Sequence, residues 1–217
     1  MLSSVLNKST CAGCKFCCSF RRCSLWETPL FDEDSCRKLG QDNEYGVKAD
    51  FKMSDMKNQE LSFINQINQL DLADGQTGKK ESERNAQSRK AVDRNAGENK
   101  INPCGSRYGQ MQLEYKYKTD DSEEEAACEF LDPQKGCILS NEDKPFDCKI
   151  WPLRIMNKDG KLVIALTPTC PALGEKPSES MQRLVDDGLG QKIYEYALEH
   201  PFMIKEYHEG FPVLMTF

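Results

Sequence analysis

The apolar and polar positions of this chain change period several times, and each change predicts an element. Met56, Leu61, Ile64, Ile67 and Leu70 recur at helical spacing, so residues 54–71 read as an amphipathic helix opened by Ser54. Met111, Leu113, Tyr115 and Tyr117 alternate with Gln112, Glu114, Lys116 and Lys118, the period of a half-buried strand. From Cys148 to Met156 the chain is apolar except at Lys149, Pro152 and Arg154. Asn157-Lys158-Asp159-Gly160 then turns it back along Lys161 to Thr167, which predicts a hairpin. Ser178 or Ser180 can cap a helix carrying Met181, Leu184 and Val185, which Gly188 and Gly190 interrupt. Ile193, Tyr194, Tyr196, Ala197 and Leu198 form a second short helix, stopped by Pro201. The tail from Phe211 to Phe217 is apolar enough to dock as an edge strand.

Shorter signals fill the gaps. Residues 32–40 begin with acids, end with bases and stop at Gly40, as a short helix should. Asp132-Pro133-Gln134-Lys135-Gly136 is turn chemistry leading into Cys137-Ile138-Leu139. Residues 1–24 carry no stripe and read as a loop. The acidic residues Asp120, Asp121, Glu123, Glu124 and Glu125 read as a solvated turn. Residues 73–103 hold almost nothing apolar before Ile101, with seven bases and four acids between Lys79 and Lys100. Such a segment cannot bury a face, so it is expected to be a mobile polar insertion. The fold class expected is α+β: residues 1–217 form one small, irregular cysteine-rich metal-binding domain, with a few short antiparallel strands, peripheral helices and a long insertion.

Composition narrows the function. The 217 residues carry a net charge of -6, which argues against a nucleic-acid or other polyanion partner by bulk electrostatics. No apolar stretch is long enough for a membrane span, and no secretory leader is visible. The chain is therefore expected in a reducing cytoplasm, away from membranes. There, eleven cysteines point to metal or redox chemistry before disulfides.

Four of those cysteines fall within eight residues: Cys11, Cys14, Cys17 and Cys18, as C-x2-C-x2-C-C. That density suits a cation that takes several soft thiolates from one loop. Cys128, Cys137, Cys148 and Cys170 are spaced by 9, 11 and 22 residues near predicted turns, which can gather them round one point. A local first set meeting a dispersed second set is how iron–sulfur and zinc sites are assembled. The overlapping doublets match the spacing that holds three corners of a cubane cluster, so a [4Fe–4S] cluster is expected, with Zn2+ as the alternative. In extended chain, Cys17 and Cys18 would point oppositely and could serve two sites or one. Cys23, Cys36 and Cys104 read as ordinary thiols, and His200 and His208 as packing or surface residues.

These motifs resemble the YkgJ-type cysteine-cluster family, a zinc- or iron-chelating domain. The likeness rests on Cys11-Ala-Gly-Cys14-Lys-Phe-Cys17-Cys18, on Cys128-Glu-Phe-Leu-Asp, on Gly136-Cys137-Ile-Leu and on Lys144-Pro145-Phe-Asp-Cys148-Lys-Ile-Trp-Pro152, with Cys170 as the family's last cysteine. It spans roughly residues 9–40 and 110–175. Lys144 and Lys149 stand where the family has arginines, keeping charge but losing a planar fork. The resemblance implies chelation by Cys11, Cys14, Cys17, Cys18, Cys128, Cys137, Cys148 and Cys170. It does not imply a reaction. Flagellin lysine-N-methylases contain a similar cysteine domain, but no glycine-rich nucleotide fingerprint accompanies it here.

Three functions follow as expectations: a metal-cluster protein in which the cluster is structural, electron-transferring or sensing; a cluster-dependent enzyme acting on a protein or peptide; and a zinc-stapled interaction module. The chain shows no catalytic Ser/His/Asp set, H-E-x-x-H or P-loop. Arg21 and Arg22 could lower the pKa of Cys18 or Cys23, although pairing with carboxylates is their more ordinary use.

Overall fold

Four small sheets and short helices are joined by turns, in a computed structural model that describes residues 14–56, 107–171 and 179–217. The coarse α+β expectation is met. The strands are β1 (Ser19–Arg21), β2 (Leu30–Asp32), β3 (Phe51–Asp55), β4 (Arg107–Met111), β5 (Glu125–Ala127), β6 (Leu131–Asp132), β7 (Gly136–Cys137), β8 (Leu153–Lys158), β9 (Lys161–Leu166), β10 (Lys205–Glu206) and β11 (Val213–Thr216). The helices are α1 (Glu33–Leu39), α2 (Phe146–Ile150), α3 (Glu179–Leu184) and α4 (Gly190–Glu199).

The predicted hairpin is the spine of the largest sheet, in the order β10-β8-β9-β11. Asp159 and Gly160 both take positive φ, at 53° and 83°, as a tight two-residue turn requires, and Lys158 faces Lys161 across it. Side chains alternate across β9. Leu162, Ile164 and Leu166 pack with Met181, Val185, Ile193 and Ala197 of the C-terminal helices. Val163 and Ala165 pack on the other face with Met156, Trp26, Tyr207 and Phe211. With both faces covered, the strand reads as a continuous apolar run. Antiparallel β11 closes the far edge, as expected of the tail. Between α3 and α4 a π-turn, Val185–Leu189, absorbs the interruption at Gly188, where φ is 105°.

A second core surrounds the sheet β2-β4-β3 and holds Phe20, Phe31, Leu39, Leu113, Phe130 and Leu139. Helix α1 lies against this core and begins as predicted: Asp32 accepts from the Ser35 amide at 2.7 Å, and Gly40 follows its last residue. Gly109 in β4 sits opposite Phe31 and Met53, where its missing side chain leaves room for Cys36.

Four local expectations are corrected. The strand predicted over Met111 to Tyr117 lies earlier, at Arg107–Met111, and Glu114–Lys116 form a 3-10 turn. Ser54 does not open a helix: it pairs with Tyr108 inside β3, and residues 57–71 lie outside the described residues. The loop expected to Ser24 contains β1 between 3-10 turns at Phe16–Cys18 and Arg22–Glu27. Glu125, placed in the acidic turn, belongs to β5. The insertion expected at 73–103 lies outside the described residues. Among the described residues no helix is long and apolar enough to cross a membrane.

Candidate metal centre

Pairing of β1 with β5 brings the early cysteine loop to the later turns. Ser19 faces Ala127, and the Cys128 amide donates to the Cys18 carbonyl at 2.8 Å. The β6–β7 hairpin then sets Cys137 opposite Leu131. Its turn is fixed by Asp132, whose Oδ1 accepts from the amides of Gln134 and Lys135 at 2.7 Å each, and by Gly136 at φ 80°. Cys148 lies on α2, a helix where sequence placed only a turn or strand edge, and Pro145 starts that helix. Cys170 follows β9, its amide directed to the Thr167 carbonyl at 3.5 Å.

These placements converge. Cys14, Cys17, Cys18, Cys137, Cys148 and Cys170 line one cavity of about 400 Å³. Cys128 stands beside it, bonded through its backbone to Cys18, with its thiol electrostatically coupled to those of Cys137 and Cys148. Seven of the eight cysteines named as candidate ligands are thus gathered in one region, and Cys11 lies outside the described residues. Among the described residues, no three His, Cys, Asp or Glu side chains are closed around a point as a metal-holding group. The thiols share a wall without forming a coordination shell.

The neighbours Cys17 and Cys18 do not diverge as extended chain would make them. Both sit in the 3-10 turn after Lys15, which adopts a left-handed conformation at φ 55°, and both line the same cavity. The Cys17 thiol is hydrogen-bonded to that of Cys18, and this hydrogen bond, followed by burial, pushes its pKa far above the ordinary thiol range. Burial pushes Cys128 up to about 12. Cys148 is exposed at the cavity, where the protein packed around it and the neighbouring Cys128 raise its pKa. Thiols crowded together on one wall stay neutral, because each thiolate formed would repel the next. A bound cation removes that penalty, so binding would release protons.

Behind the thiols lies a buried charged node. Asp147 on α2 meets Arg154 on β8 at 2.8 Å and Lys205 on β10 at 3.7 Å, and accepts from the Leu30 amide at 3.3 Å. Arg154 Nη2 donates to the Glu27 carbonyl at 2.9 Å, and Lys205 Nζ donates to Trp26 O at 2.6 Å and Thr28 O at 3.3 Å. Burial opposes ionisation of Asp147, but Arg154 and Lys205 outweigh it and hold its pKa below the ordinary value. Sequence reasoning missed this node. Arg154 inside an otherwise apolar strand was its only signal.

The remaining candidates separate from the site. Cys36 is buried beside the Phe31 carbonyl, where burial raises its pKa to about 12. Cys23 is exposed and bonds Glu123 at 3.3 Å, which raises its pKa, opposite to an activated nucleophile. Arg21 and Arg22 pair with Glu123 at 3.1 Å and Glu124 at 3.7 Å, their ordinary use. His208 stacks on Trp26 and His200 packs against Tyr196, so both are packing residues. Cys104 lies outside the described residues.

The donor set is soft. Six cysteines line the cavity beside two buried carboxylates, Glu27 and Asp147, and Asp147 is committed to Arg154 and Lys205. Such a set suits zinc or an iron–sulfur cluster and is poor for calcium or magnesium. No family model matches this chain, and no curated protein or solved structure matches it, so the likeness to the YkgJ-type family rests on the quoted cysteine motifs alone.

Proposed function

We propose that this chain is a cytoplasmic metal-binding protein of the cysteine-cluster type, and that it holds an iron–sulfur cluster. The observation that carries the reading is the meeting of two cysteine sets, remote in sequence, on one cavity wall. Cys14, Cys17 and Cys18 would supply ligands from the early loop, with Cys11 preceding them. Cys128, Cys137, Cys148 and Cys170 would supply them from the later turns. More thiols are present than the four ligands a single cubane takes, which leaves room for a second metal or for thiols beyond the first shell.

A bound centre would staple the early loop to β5–β7 and α2, and an iron–sulfur centre could also carry an electron. What supports the reading is the scaffold around the thiols. β1–β5 pairing sets the spacing of the two halves, and the Asp132 turn fixes Cys137. The α2–β8 junction fixes Cys148 against the buried ion pair. Chemistry on a protein or peptide substrate would need further groups, and no catalytic residue is assigned.

The test is anaerobic expression followed by iron, sulfide and zinc quantification on one sample. Iron and acid-labile sulfide in equal amounts, with broad absorbance near 400 nm, support the cluster. A colourless protein with stoichiometric zinc replaces it with a zinc-stapled module. A metal-free, folded protein overturns the reading.

A further inference from the structure

The chain is acidic overall, at -6, yet the wall of the cysteine cavity is not. Among the described residues Lys15, Lys135, Lys144 and Arg154 line it, with Glu27 and Asp147 as the acids. Arg154 differs from the lysines in being fully buried, its side chain 3% exposed. Its guanidinium lies over the Trp151 ring, 4.9 Å from the centroid, and Trp151 also faces the cavity. Nη1 meets Asp147 and Nη2 is used by the Glu27 carbonyl, but buried Nε finds no acceptor among the described residues. Lys205 adds a second cation behind the wall, its side chain 10% exposed; burial lowers its pKa to about 8, and the Asp147 carboxylate opposes that fall. Glu27 is buried, and burial raises its pKa, so its carboxylate offsets these cations less than an exposed one would.

Two buried cations that share one ion-paired carboxylate, Asp147, are costly inside a protein unless something negative completes them. A divalent metal, or a cubane core of charge +2, held by four thiolates carries net charge −2, so it is itself an anion. We infer that Arg154 and Lys205, fixed by Asp147, form a positive platform that balances the charge of a thiolate-ligated centre in this cavity and sets how tightly that centre is held. The inference rests on the metal-binding reading above. Arg154 and Lys205 are positioning residues: both act on the sulfur ligands by charge, and Arg154 Nε is in addition a buried donor that a bound centre could use.

Cobalt(II) titration under anaerobic conditions tests this, with thiolate-to-cobalt absorption as the readout and a competing chelator setting the affinity scale. Lys205→Met removes one positive charge and should weaken Co2+ binding roughly tenfold, the lower end of what one nearby charge does to an ionising group. Asp147→Asn removes the opposing negative charge and should tighten binding by a similar factor, although it destabilises the metal-free fold. Arg154→Lys keeps the charge but loses Nε and should weaken binding less than Lys205→Met. Opposite shifts for Lys205→Met and Asp147→Asn support the platform, because damage to a merely structural node would weaken binding in both. Shifts in the same direction, or none in either, overturn it while leaving the metal site standing. A native chain that shows no thiolate-to-cobalt band removes the site and the platform together.

Discussion

Gly109→Ala should destabilise the fold, and Cys36→Ala should rescue it. Gly109 is buried in β4, between β2 and β3. A Cβ built there falls under 3.0 Å from Cys36 Sγ, 3.0 Å from Met53 Sδ and 3.3 Å from Phe51 Cβ. Met53 ends in a flexible thioether and can move. Cys36 cannot easily do so, because α1 fixes its backbone and its thiol is directed to the Phe31 carbonyl at 3.7 Å. Overpacking of this kind costs about 1–3 kcal/mol, offset by up to about 1 kcal/mol from the stiffer unfolded chain. A net loss of about 1–2 kcal/mol is expected, or a fall in Tm of roughly 2–8 °C at this chain length. Cys36→Ala alone removes one buried sulfur and should cost about 1 kcal/mol. In the double variant the new methyl occupies the space the sulfur left, so it should be more stable than Gly109→Ala alone, with a coupling energy of about 1–2 kcal/mol. Urea denaturation followed by far-ultraviolet circular dichroism reads all four proteins, with a constant m-value as the check on the denatured state. A double variant as unstable as the two single costs added together would refute the packing argument. It would also reopen the assignment of Cys36 as a packing thiol outside the metal site.

Three further outcomes follow. Cys14→Ala should lose bound metal while Cys36→Ala and Cys104→Ser keep it, as read by metal analysis of anaerobically purified protein; full metal content in Cys14→Ala would remove that residue from the ligand set. Phe130→Ala should cost about 3–5 kcal/mol in chemical denaturation, because Phe130 is completely buried in the core beside the cysteine turns; a loss under about 1 kcal/mol would show that this core is not formed as described. Glu124 accepts hydrogen bonds from the Lys118 and Thr119 amides at 2.6 and 2.8 Å, which hold its pKa at about 2. Its folded value lies below the unfolded one, so its contribution is complete above the ordinary glutamate value of about 4.3 and is lost as pH falls through about 2. A carboxyl carbon NMR titration with its midpoint near 4 would show those bonds absent.

What sequence made legible was local chemistry. Asp159-Gly160 takes the backbone conformation its residue types favour, and the hairpin followed from that pair and its apolar flanks. Helix α1 carries its cap, its charge gradient and its stop within nine residues. The alternation from Met111 to Tyr117 misled because non-local pairing fixes β4: its partners β2 and β3 meet it at Arg107–Met111. Beyond that, Leu113 turns into the core while Tyr115, 63% exposed, reaches Glu129. Ser54 misled for the same reason, since a residue able to cap a helix lies equally well in a strand edge. The cysteines were legible as a set because no packing need explains their density. Their companions Asp147, Arg154 and Lys205 were not, because they come from α2, β8 and β10 and meet only through the parallel pairing of β10 with β8.

X-ray absorption at the edge of whichever metal the anaerobic protein retains tests the central claim most directly. The account predicts a first shell of sulfur, at about 2.3 Å if the metal is zinc, with an additional iron–iron shell if it is a cluster. A shell of nitrogen and oxygen alone would contradict it.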